Sequence, residues 1–430
     1  MVLEIAGKAS LLARVLAHVL RVVCSSLRRT WSTRWFSLTA GRPNGPIPPS
    51  EVKNVVVVGA SFAGYFAAGI LARTLPKDGR YRLIVIEPNS HFNLTWVMPR
   101  YCVMEGEEHK AFIPYTPAFF SQCPKGMVRW VRDRAARVTR DAVVLKSGQE
   151  IPFEYLLITT GSAMAHDLSV RVSADKANGI ERLRSTQARI REATRLVVAG
   201  GGAAGVELAA DAKSHHPDKS VTLVHSRQAL MHRFGPGLQK RALEALQKLG
   251  VDVVLGEKVQ AESADGKLIT LSSGRQLECD CLIYCTGQIP SSSLVAEIAP
   301  QILTPSGRIR VKPTLQIDDD SLPTVFACGD VADINVSNPN AKTSSRQAEV
   351  AADNIIQLVR GKEPKHTYEP AWQDEIISLS LGVGQSITGV WDGRTELLLE
   401  KNMSPMCEKA WKALGCQPFE DTGVYSYNSL

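Results

Sequence analysis

The order of apolar and polar positions predicts two strand–turn–helix units in this chain. Residues 55–58 are four consecutive valines, followed by a turn that contains glycine and by an alanine-rich helix over 65–73. A continuous apolar run of this kind is typical of a parallel strand buried on both faces. The same order recurs over 196–212, where an apolar strand, a glycine-rich turn and a helix follow one another. Each unit is of the kind that holds a dinucleotide.

The first turn consists of Gly59, Ala60, Ser61 and Gly64. Serine stands where the G-x-G-x-x-G pattern has its middle glycine, but a small hydroxyl still allows the backbone to approach a pyrophosphate. The helix that begins near this serine offers unpaired N–H groups and its positive dipole end to the anion. The next apolar run ends in Glu87, 23 residues after Gly64, near the spacing of an acid that binds ribose hydroxyls. A charge in a solvated loop is the alternative interpretation of this acid.

The second turn carries the full pattern in Gly200, Gly202 and Gly205, and it is the strongest nucleotide motif of the chain. Glu207 follows just inside the helix. It is either a favourable charge in the first helical turn or a hydrogen-bonding partner for the carboxamide of a bound nicotinamide. The second interpretation makes Glu207 the candidate catalytic residue, acting by positioning.

The strand after this helix ends in His225, with Arg227 two residues later. An acid at that strand end binds both ribose hydroxyls of NADH and repels a 2′-phosphate, whereas a histidine and an arginine tolerate or hold one. NADH and NADPH therefore both remain open as substrates. An Arg227 that only meets solvent is the alternative.

Two more strand ends are expected at the same edge of the first sheet. The strand near 155–159 ends in Thr160 and Gly161, whose backbone N–H groups can face a ligand. The apolar stretch at 323–330 ends in Asp330, whose carboxylate can accept from a ribitol hydroxyl. Ligands of such folds bind at the carboxyl edge of the sheet. For the strand that ends in Thr160 and Gly161, an ordinary strand-end turn is the alternative interpretation.

We predict an α/β fold with two Rossmann-like dinucleotide-binding domains, the first interrupted by the second, and a smaller α+β C-terminal region. A basic N-terminal segment with a linker is predicted at 1–50. The first domain is predicted in two parts, at 51–163 and 291–362, with the second domain between them at 164–290. The C-terminal region is predicted at 363–430.

Positive charge is concentrated at the N-terminus. Residues 1–50 contain seven basic residues and one acid, while the other 380 contain 43 basic and 42 acidic residues. The nearly neutral body disfavours nucleic acid as a partner, because DNA binding needs a basic face. Arg14, Arg21 and Arg28 recur every seven residues and interrupt the apolar positions too often for a bilayer-spanning helix of about 20 apolar residues. A mitochondrial presequence, an amphipathic helix on an anionic, cytoplasmic membrane surface and an uninformative leader all remain open, with a mitochondrial location expected first.

The nine cysteines are dispersed, and most lie in apolar or strand-like contexts, which favours a reducing compartment. Cys279, Cys281 and Cys285 alternate along a predicted strand and lack a second ligand group nearby, so no metal site is predicted.

The chain from about residue 53 to the C-terminus resembles the two-dinucleotide-domain flavoprotein oxidoreductases. Within them it is most similar to the apoptosis-inducing-factor-homologous, mitochondrion-associated (AMID-like) group, which includes the ferroptosis suppressor proteins. The segments that carry the resemblance are VVVVGASFAG, HFNLTWVMPRYCV, LLITTGS, VVAGGGAAGVELA, VTLVHSR, CTGQIP and TVFACGD.

The resemblance implies FAD in the first domain and NADH or NADPH in the second. The implied FAD contacts are the pyrophosphate at Gly59, Ser61 and Gly64, the adenosine ribose at Glu87, a loop contact at Arg100 and the flavin side at Asp330. The implied contacts of the nicotinamide dinucleotide are Gly200, Gly202 and Gly205, with the nicotinamide end at Glu207. Disulfide reductases of this superfamily carry a C-x-x-x-x-C pair, but this chain has no cysteine from residue 55 to 101. A disulfide relay is therefore disfavoured.

The expected activity is hydride transfer from NAD(P)H to the flavin, followed by reduction of a quinone or a similar small-molecule acceptor. Two other functions remain open: a redox-gated signalling or cell-death effector with slow turnover, and a tailoring oxidoreductase that acts on one dedicated metabolite. The oligomeric state is not predicted.

Overall fold

The computed structural model describes residues 2–39, 47–164, 175–336, 338–402 and 407–421, so most of the predicted linker lies outside the described residues. The α-helices in these ranges are α1 Val2–Thr39, α2 Phe62–Thr74, α3 Met98–Tyr101, α4 Lys176–Glu192, α5 Ala203–His215, α6 Pro236–Leu249, α7 Ala341–Val359 and α8 Cys407–Ala413.

Strands of the described ranges fall into the two predicted sheets and several small ones. Up to the end of the first part of the first domain they are β1 Lys53–Val58, β2 Tyr81–Ile86, β3 His91–Asn93, β4 Phe112–Pro114, β5 Val128–Val131, β6 Ala135–Val138, β7 Ala142–Leu145, β8 Glu150–Pro152, β9 Tyr155–Ile158 and β10 Ser162–Met164. The later strands are β11 Arg195–Ala199, β12 Ser220–His225, β13 Asp252–Leu255, β14 Val259–Glu262, β15 Leu268–Leu271, β16 Gln276–Glu278, β17 Cys281–Tyr284, β18 Gln288–Pro290, β19 Ile309–Arg310, β20 Val325–Ala327, β21 Ala332–Asp333, β22 Ile377–Ser380, β23 Ser386–Trp391 and β24 Glu396–Lys401.

The first sheet has five parallel strands in the order β20, β9, β1, β2, β5. Val55 and Val57 of β1 belong to the core that contains α2 and α7, whereas Val56 and Val58 belong to the core under the β6–β8 sheet. Successive side chains of a strand point to opposite faces. A strand covered on both faces is therefore apolar throughout, which explains the run of four valines.

The second sheet has four parallel strands in the order β13, β12, β11, β17. Helices α5 and α6 contribute to the core on one face, and the antiparallel β14–β16 sheet covers the other. The unit thus repeats the layering of the first sheet on a smaller scale.

The chain leaves the first sheet and returns to it through two paired strands. β10 follows β9, β18 follows β17 of the second sheet, and β10 and β18 pair with each other in antiparallel register. β20 then joins the first sheet beside β9. The prediction of an α/β fold with one dinucleotide unit inserted into another is confirmed.

The C-terminal region combines the antiparallel sheet β22–β23–β24 with the short helix α8, as predicted for a small α+β region. Trp411 of α8 is fully buried, and its indole N–H donates to the carbonyl of Lys110 at 3.0 Å. This region therefore packs back onto the first domain.

Helix α1 lies against the body of the protein through one face. Leu11 is fully buried, and the ring of His18 meets Trp372 edge-on with 6.0 Å between centroids. Arg29 forms an ion pair with Asp353 of α7 at 2.8 Å. Among the described helices, none has the length and apolarity that crossing a membrane requires.

The glycines of the two turns divide into those the fold requires and those it does not. A Cβ at Gly205 would overlap the carbonyl oxygen of Gly200, whereas a Cβ at Gly202 would have no atom of the described residues within 4 Å. Gly202 has φ −82° and ψ −176°, close to the φ −83° and ψ −154° of Ser61 at the start of α2. The backbone angles and the neighbouring protein atoms therefore allow serine at this position in both turns.

We expect Gly205→Ser to lower the free energy of unfolding by about 1–3 kcal/mol, because the side chain collides with backbone that cannot move aside. Gly202→Ser should change it by less than about 0.5 kcal/mol, since serine is also a good N-cap. Urea unfolding of both variants without added nucleotide measures the difference. Equal losses in the two variants would contradict the steric explanation.

Candidate functional site

The first turn connects β1 to α2 through a glycine that the backbone requires. Gly59 has φ +92°, and a Cβ there would come within 2.6 Å of the carbonyl oxygen of Thr159 on the neighbouring strand. Positive φ is accessible to glycine at little cost. Ser61 follows as the exposed N-cap of α2, with no hydrogen bond from its side chain to the helix. The start of α2 is thus open to an anion, as predicted.

Glu87 is buried and acts on the first turn itself. Its carboxylate accepts the backbone N–H of Ala60 at 2.6 Å and that of Asn89 at 2.8 Å. Burial raises the pKa of this carboxyl, and the two N–H donors partly offset the rise. The interpretation as a solvated loop charge is wrong, because only 4% of the residue is exposed. Contact with a ribose stays a prediction.

The predicted strand ends lie at the same edge of the first sheet. The hydroxyl of Thr160 donates to the carbonyl of Ser291 at 2.6 Å, and the carbonyl of Gly161 accepts the N–H of the same serine at 2.9 Å. Both residues therefore tie the end of β9 to the crossover that follows β18. Gly161 has φ +66°, and no atom of the described residues lies within 4 Å of its Cβ position.

Asp330 follows β20 and lines a small cavity of mixed polar and apolar residues. Its carboxylate accepts the hydroxyl of Ser162 at 3.0 Å, and the N–H of Gly329 donates to the side-chain oxygen of Gln347 at 2.8 Å. The lining also includes Thr343 and Ser344 from the first turn of α7. A carboxylate among hydroxyls at a helix start fits a polyol that adjoins a pyrophosphate. These features, with the open first turn, fit FAD.

The second turn repeats this design. Gly200 has φ +128°, and a Cβ there would meet the side chain of Thr286 at 2.7 Å. The exposed Gly202 begins α5 without an obstructing side chain. His225 closes the turn from β12, since its Nδ1 accepts the N–H of Gly201 at 3.0 Å. Arg227 is exposed just beyond that histidine. The structure thus brings the predicted nicotinamide-dinucleotide residues together.

Arg100 has a role that the sequence did not indicate. Its guanidinium donates to both carboxylate oxygens of Asp211, at 3.1 and 2.9 Å, and to the carbonyl of Gly382 at 3.1 Å. A further bond, of 2.5 Å, reaches the hydroxyl of Ser380. Arg100 therefore joins α3 of the first domain to α5 of the second and to the C-terminal sheet. The implied contact of Arg100 with FAD stays a prediction.

Residues that sequence reasoning missed are the partners in these long-range contacts. Asp211 is fully buried, and it lies one helical turn after Glu207 on α5. The hydroxyl of Tyr115 donates to the carbonyl of Ala60 at 2.9 Å and so supports the first turn from below. Asp211 lies on an otherwise apolar helix face, and this pattern indicates a buried acid. No pattern in the sequence indicates the role of Tyr115.

Glu207 lies between α5 and the C-terminal sheet, partly buried. Its Oε1 accepts the backbone N–H of Ser380 at 2.9 Å. Burial raises its pKa to about 8, with a further rise from Asp211, while the Ser380 N–H and the Arg100 charge lower it. The bond to Ser380 gives Glu207 a structural contact with the C-terminal sheet, in addition to its place in the first helical turn. Its contact with a nicotinamide carboxamide stays a prediction.

All nine cysteines lie in the described parts of the chain, and none forms a disulfide. Burial raises the pKa of Cys102 and of Cys285 to about 12, and the charge of Cys102 contributes to the rise at Cys285. A thiol of this kind stays protonated, and the thiolate is the reactive form. These cysteines are unsuited to electron relay.

The pKa of Glu207 gives a pH dependence of stability. Its folded-state pKa lies above the ordinary value of 4.5, so the folded protein keeps a proton that the unfolded chain releases. The stability that this group contributes therefore falls as pH rises from about 5 to about 8. Glu207→Gln retains the oxygen that accepts from Ser380 and removes this loss.

We expect the free energy of unfolding of Glu207→Gln to rise relative to that of the unmodified protein by at least about 1 kcal/mol between about pH 5 and about pH 8. This figure is reduced for the partial exposure of the carboxyl. Urea unfolding at the two pH values measures it. The exposed Glu363→Gln is the control and should show no such growth. A pH-independent difference for Glu207→Gln would contradict the raised pKa.

Known proteins match the chain over most of its length. Fe-regulated protein 8 of Mycosarcoma maydis is 34% identical over 362 residues, which are 79% of this chain and 89% of that protein. Ferroptosis suppressor protein 1 of Homo sapiens is 29% identical over 380 residues, 86% of this chain and 98% of that protein. The resemblance to the group that includes the ferroptosis suppressor proteins is confirmed.

A solved structure of similar fold is the NAD-dependent persulfide reductase from A. fulgidus, with a TM-score of 0.60 and 22% identity. The alignment covers 78% of this chain and 64% of that one, so this chain spans about two thirds of that structure. At this identity the likeness concerns the fold. The sequence profile of the pyridine nucleotide-disulphide oxidoreductases matches residues 53–354, well over half of the chain, and the chain belongs to that family.

Proposed function

We propose that the chain passes electrons from NAD(P)H through bound FAD to a quinone or a similar small-molecule acceptor. Its family membership makes it a pyridine-nucleotide-dependent flavin oxidoreductase. The observation that carries the proposal is the presence of two nucleotide turns on two separate sheets, joined through the paired strands β10 and β18. One nucleotide is thereby held as the donor of a hydride and the other as its acceptor.

Bound FAD supplies the hydride acceptance and the onward electron transfer. The protein's part is to bind and orient the two nucleotides. Glu87 fixes the N–H of Ala60 in the first turn, and Asp330 presents a carboxylate beside the start of α7. Arg100 holds the two nucleotide domains and the C-terminal sheet in one arrangement through its bonds to Asp211 and Ser380.

Two observations support a small planar molecule as the electron acceptor: the high pKa values of two thiols and an exposed aromatic pair. The raised pKa values of Cys102 and Cys285 make these thiols unsuited to relay electrons as a dithiol. Phe62, the first residue of α2, packs against Trp96 with 5.1 Å between ring centroids and a 32° tilt, and Trp96 is 44% exposed. A partly exposed aromatic surface next to the first turn suits a flat apolar ring such as a quinone.

We expect the purified protein to be yellow, to lose its flavin absorbance rapidly on mixing with NADH or NADPH, and to regain it on addition of a short-chain quinone. Stopped-flow absorbance measures both steps. Cys102→Ala with Cys285→Ala is the matched variant and should regain its colour at the unmodified rate, because no thiol takes part.

A colourless protein that takes up no FAD would overturn the flavin assignment. A flavin that is reduced but does not regain its absorbance with quinone would favour the signalling function. A flavin that regains its absorbance with only one metabolite would favour the tailoring oxidoreductase. Loss of recovery in the folded double cysteine variant would show that a thiol carries the electrons.

We also propose that α1 places the protein on an anionic membrane surface. The face opposite Leu11 carries a row of large apolar side chains that are each more than half exposed. They are Leu12, Leu16, Val19, Leu20, Val23, Leu27 and Trp31. Their spacing of three and four residues forms one stripe along the helix. Exposing such a stripe to water is unfavourable. The stripe faces away from the protein because the opposite face of α1, which includes Leu11, packs against the body of the protein.

The charges beside this stripe indicate that its binding partner is an anionic lipid surface. The exposed Arg14 and Arg21 border it on one side, and Glu4 is the one acid among residues 1–50. Basic residues beside an apolar stripe are typical of helices that lie in an anionic membrane interface. Two such helices from two copies would repel each other. A mitochondrial membrane remains our first proposal for the location, with a cytoplasmic surface as the alternative.

We expect the full chain to sediment with vesicles containing phosphatidylserine and to bind phosphatidylcholine vesicles at least about tenfold more weakly. Replacing Leu16, Leu20 and Leu27 together by glutamine should abolish sedimentation, since each leucine contributes apolar area to the interface. The control replaces Leu399 and Ile289, which are equally exposed elsewhere, by glutamine.

Sedimentation that survives the α1 substitutions, with an unchanged circular dichroism spectrum, would contradict this proposal. A loss of self-association in the same variant, without any vesicle binding by the unmodified chain, would assign the stripe to a second copy instead.

A further inference from the structure

Helix α1 is attached to the body of the protein at two separate points. Arg14 forms an ion pair with Asp392, which lies in the turn between β23 and β24. Arg29 forms ion pairs with Asp353, at 2.8 Å, and with Glu349, both on α7. The two arginines are 15 residues apart, which is about 22 Å along the helix axis. The direction of α1 on the body is therefore fixed.

Other residues of α1 also lie close to the body. Leu11 is fully buried. A Cβ at Gly7 would be 3.0 Å from the hydroxyl oxygen of Thr395 and 3.9 Å from its Cβ, so a glycine lets the helix approach the β23–β24 turn closely. Further along, Nδ1 of His18 is 3.4 Å from the side-chain nitrogen of Gln373. The docked face thus extends over much of the helix.

The carboxylates of these ion pairs are sheltered from water. The side chain of Asp392 is 8% exposed, and that of Asp353 is 20% exposed. Burial alone would raise the pKa of Asp392, but the N–H of Thr395 and the guanidinium of Arg14 lower it below its ordinary value. A largely buried charge that loses its partner is strongly unfavourable. Undocking α1 would remove a partner at both points, so the docked state is favoured.

The docked face and the apolar stripe are on opposite sides of α1. At 3.6 residues per turn, Gly7, Leu11 and His18 fall within about 40° of one another around the helix. Three exposed leucines of the stripe are centred about 180° from them; they are Leu16, Leu20 and Leu27. A lipid surface can therefore bind the stripe without displacing the body from the other side.

Two basic residues of the body flank the docked helix. Arg394 is exposed in the β23–β24 turn, two residues after Asp392. Lys342 is exposed in the first turn of α7. Burial lowers the pKa of His18 on α1, and the nearby charge of Lys342 lowers it further. Neither basic side chain forms an ion pair within the part of the chain that the structure describes.

The dimensions of an interfacial helix bring these two residues to the headgroups. Such a helix buries its apolar face about 5–10 Å into the boundary between headgroups and acyl chains. The helix itself is about 10 Å across. A body docked on its opposite face therefore lies at the level of the headgroups, where anionic lipid attracts lysine and arginine.

We propose that α1 binds the membrane while it stays docked, as a rigid adaptor between lipid and body, and that Arg394 and Lys342 then contact anionic headgroups. The inference rests on the proposed membrane role of α1, and it adds the orientation of the body and a second contact surface. In this orientation α7 and the β23–β24 turn face the lipid. The adaptor precedes residues 53–354, which match the family, so it is a feature of this chain beyond the family profile.

The first experiment locks α1 to the body with a disulfide. The Cβ separation of 3.9 Å between positions 7 and 395 suits this bond, so Gly7→Cys with Thr395→Cys should cross-link on oxidation. The full chain carries Cys24→Ser as well, because Cys24 is exposed on α1 and would compete for the new thiols. Peptide mass spectrometry verifies the bond. Sedimentation with phosphatidylserine vesicles should give affinities within about twofold before and after reduction.

The second experiment tests the flanking residues. Arg394→Glu with Lys342→Glu should weaken binding to phosphatidylserine vesicles at least about tenfold, since both positions then repel the anionic surface. The matched control is Lys267→Glu with Arg275→Glu, an equal change of charge at exposed positions of the β14–β16 sheet. It should leave the affinity within about twofold of the unmodified chain. Circular dichroism checks that both variants fold.

Loss of vesicle binding in the oxidised variant, restored by a reductant, would overturn the adaptor, because α1 would then have to leave the body to reach the lipid. Failure of the two cysteines to cross-link would overturn the docked position. Equal weakening in the flanking variant and its control would overturn the headgroup contact. An unmodified chain that binds no anionic vesicles would instead overturn the proposed membrane role and, with it, the adaptor. That result needs no variant and is therefore distinguishable from the others.

Discussion

Both nucleotide sites depend on one close backbone contact between the start of a helix and the end of the strand before it. Gly64 lies against the carbonyl oxygen of Gly59, and Gly205 lies against that of Gly200, so closely that a Cβ at either helix glycine would overlap the oxygen. This contact turns the helix axis toward the strand end and exposes the first helical N–H groups there. The carboxyl edge of each sheet thereby becomes an anion site, to which every other predicted ligand contact is added.

Contacts that are local in sequence could be predicted, because a strand, a turn and a helix dictate one another over about 25 residues. The two turns, the strand end at Asp330 and the insertion of one unit into the other follow from such patterns, and the structure has them. The burial of Glu87 was less certain. Its pattern allowed a solvated charge, and only the N–H groups of Ala60 and Asn89 decide its role.

Contacts between distant segments could not be predicted in the same way. Arg100 and Asp211 are 111 residues apart, and their pairing depends on how two domains pack rather than on any repeat in the sequence. The resemblance to known flavoproteins implies a cofactor contact for Arg100 and does not indicate its pairing with Asp211. A buried ion pair is retained only where the remaining donors are satisfied, and here Ser380 and Gly382 of the C-terminal sheet satisfy them.

The two turns also show how a motif can lose a residue without losing its structure. Gly202 and Ser61 have nearly the same backbone angles, and a Cβ at Gly202 would meet no atom in the described parts of the chain. The fold therefore allows serine in the middle of either turn, and only the ligand that approaches the turn restricts the side chain there. The first turn departs from the pattern at the one glycine that neither φ nor packing demands. Gly59 and Gly64, which φ and packing do demand, are kept.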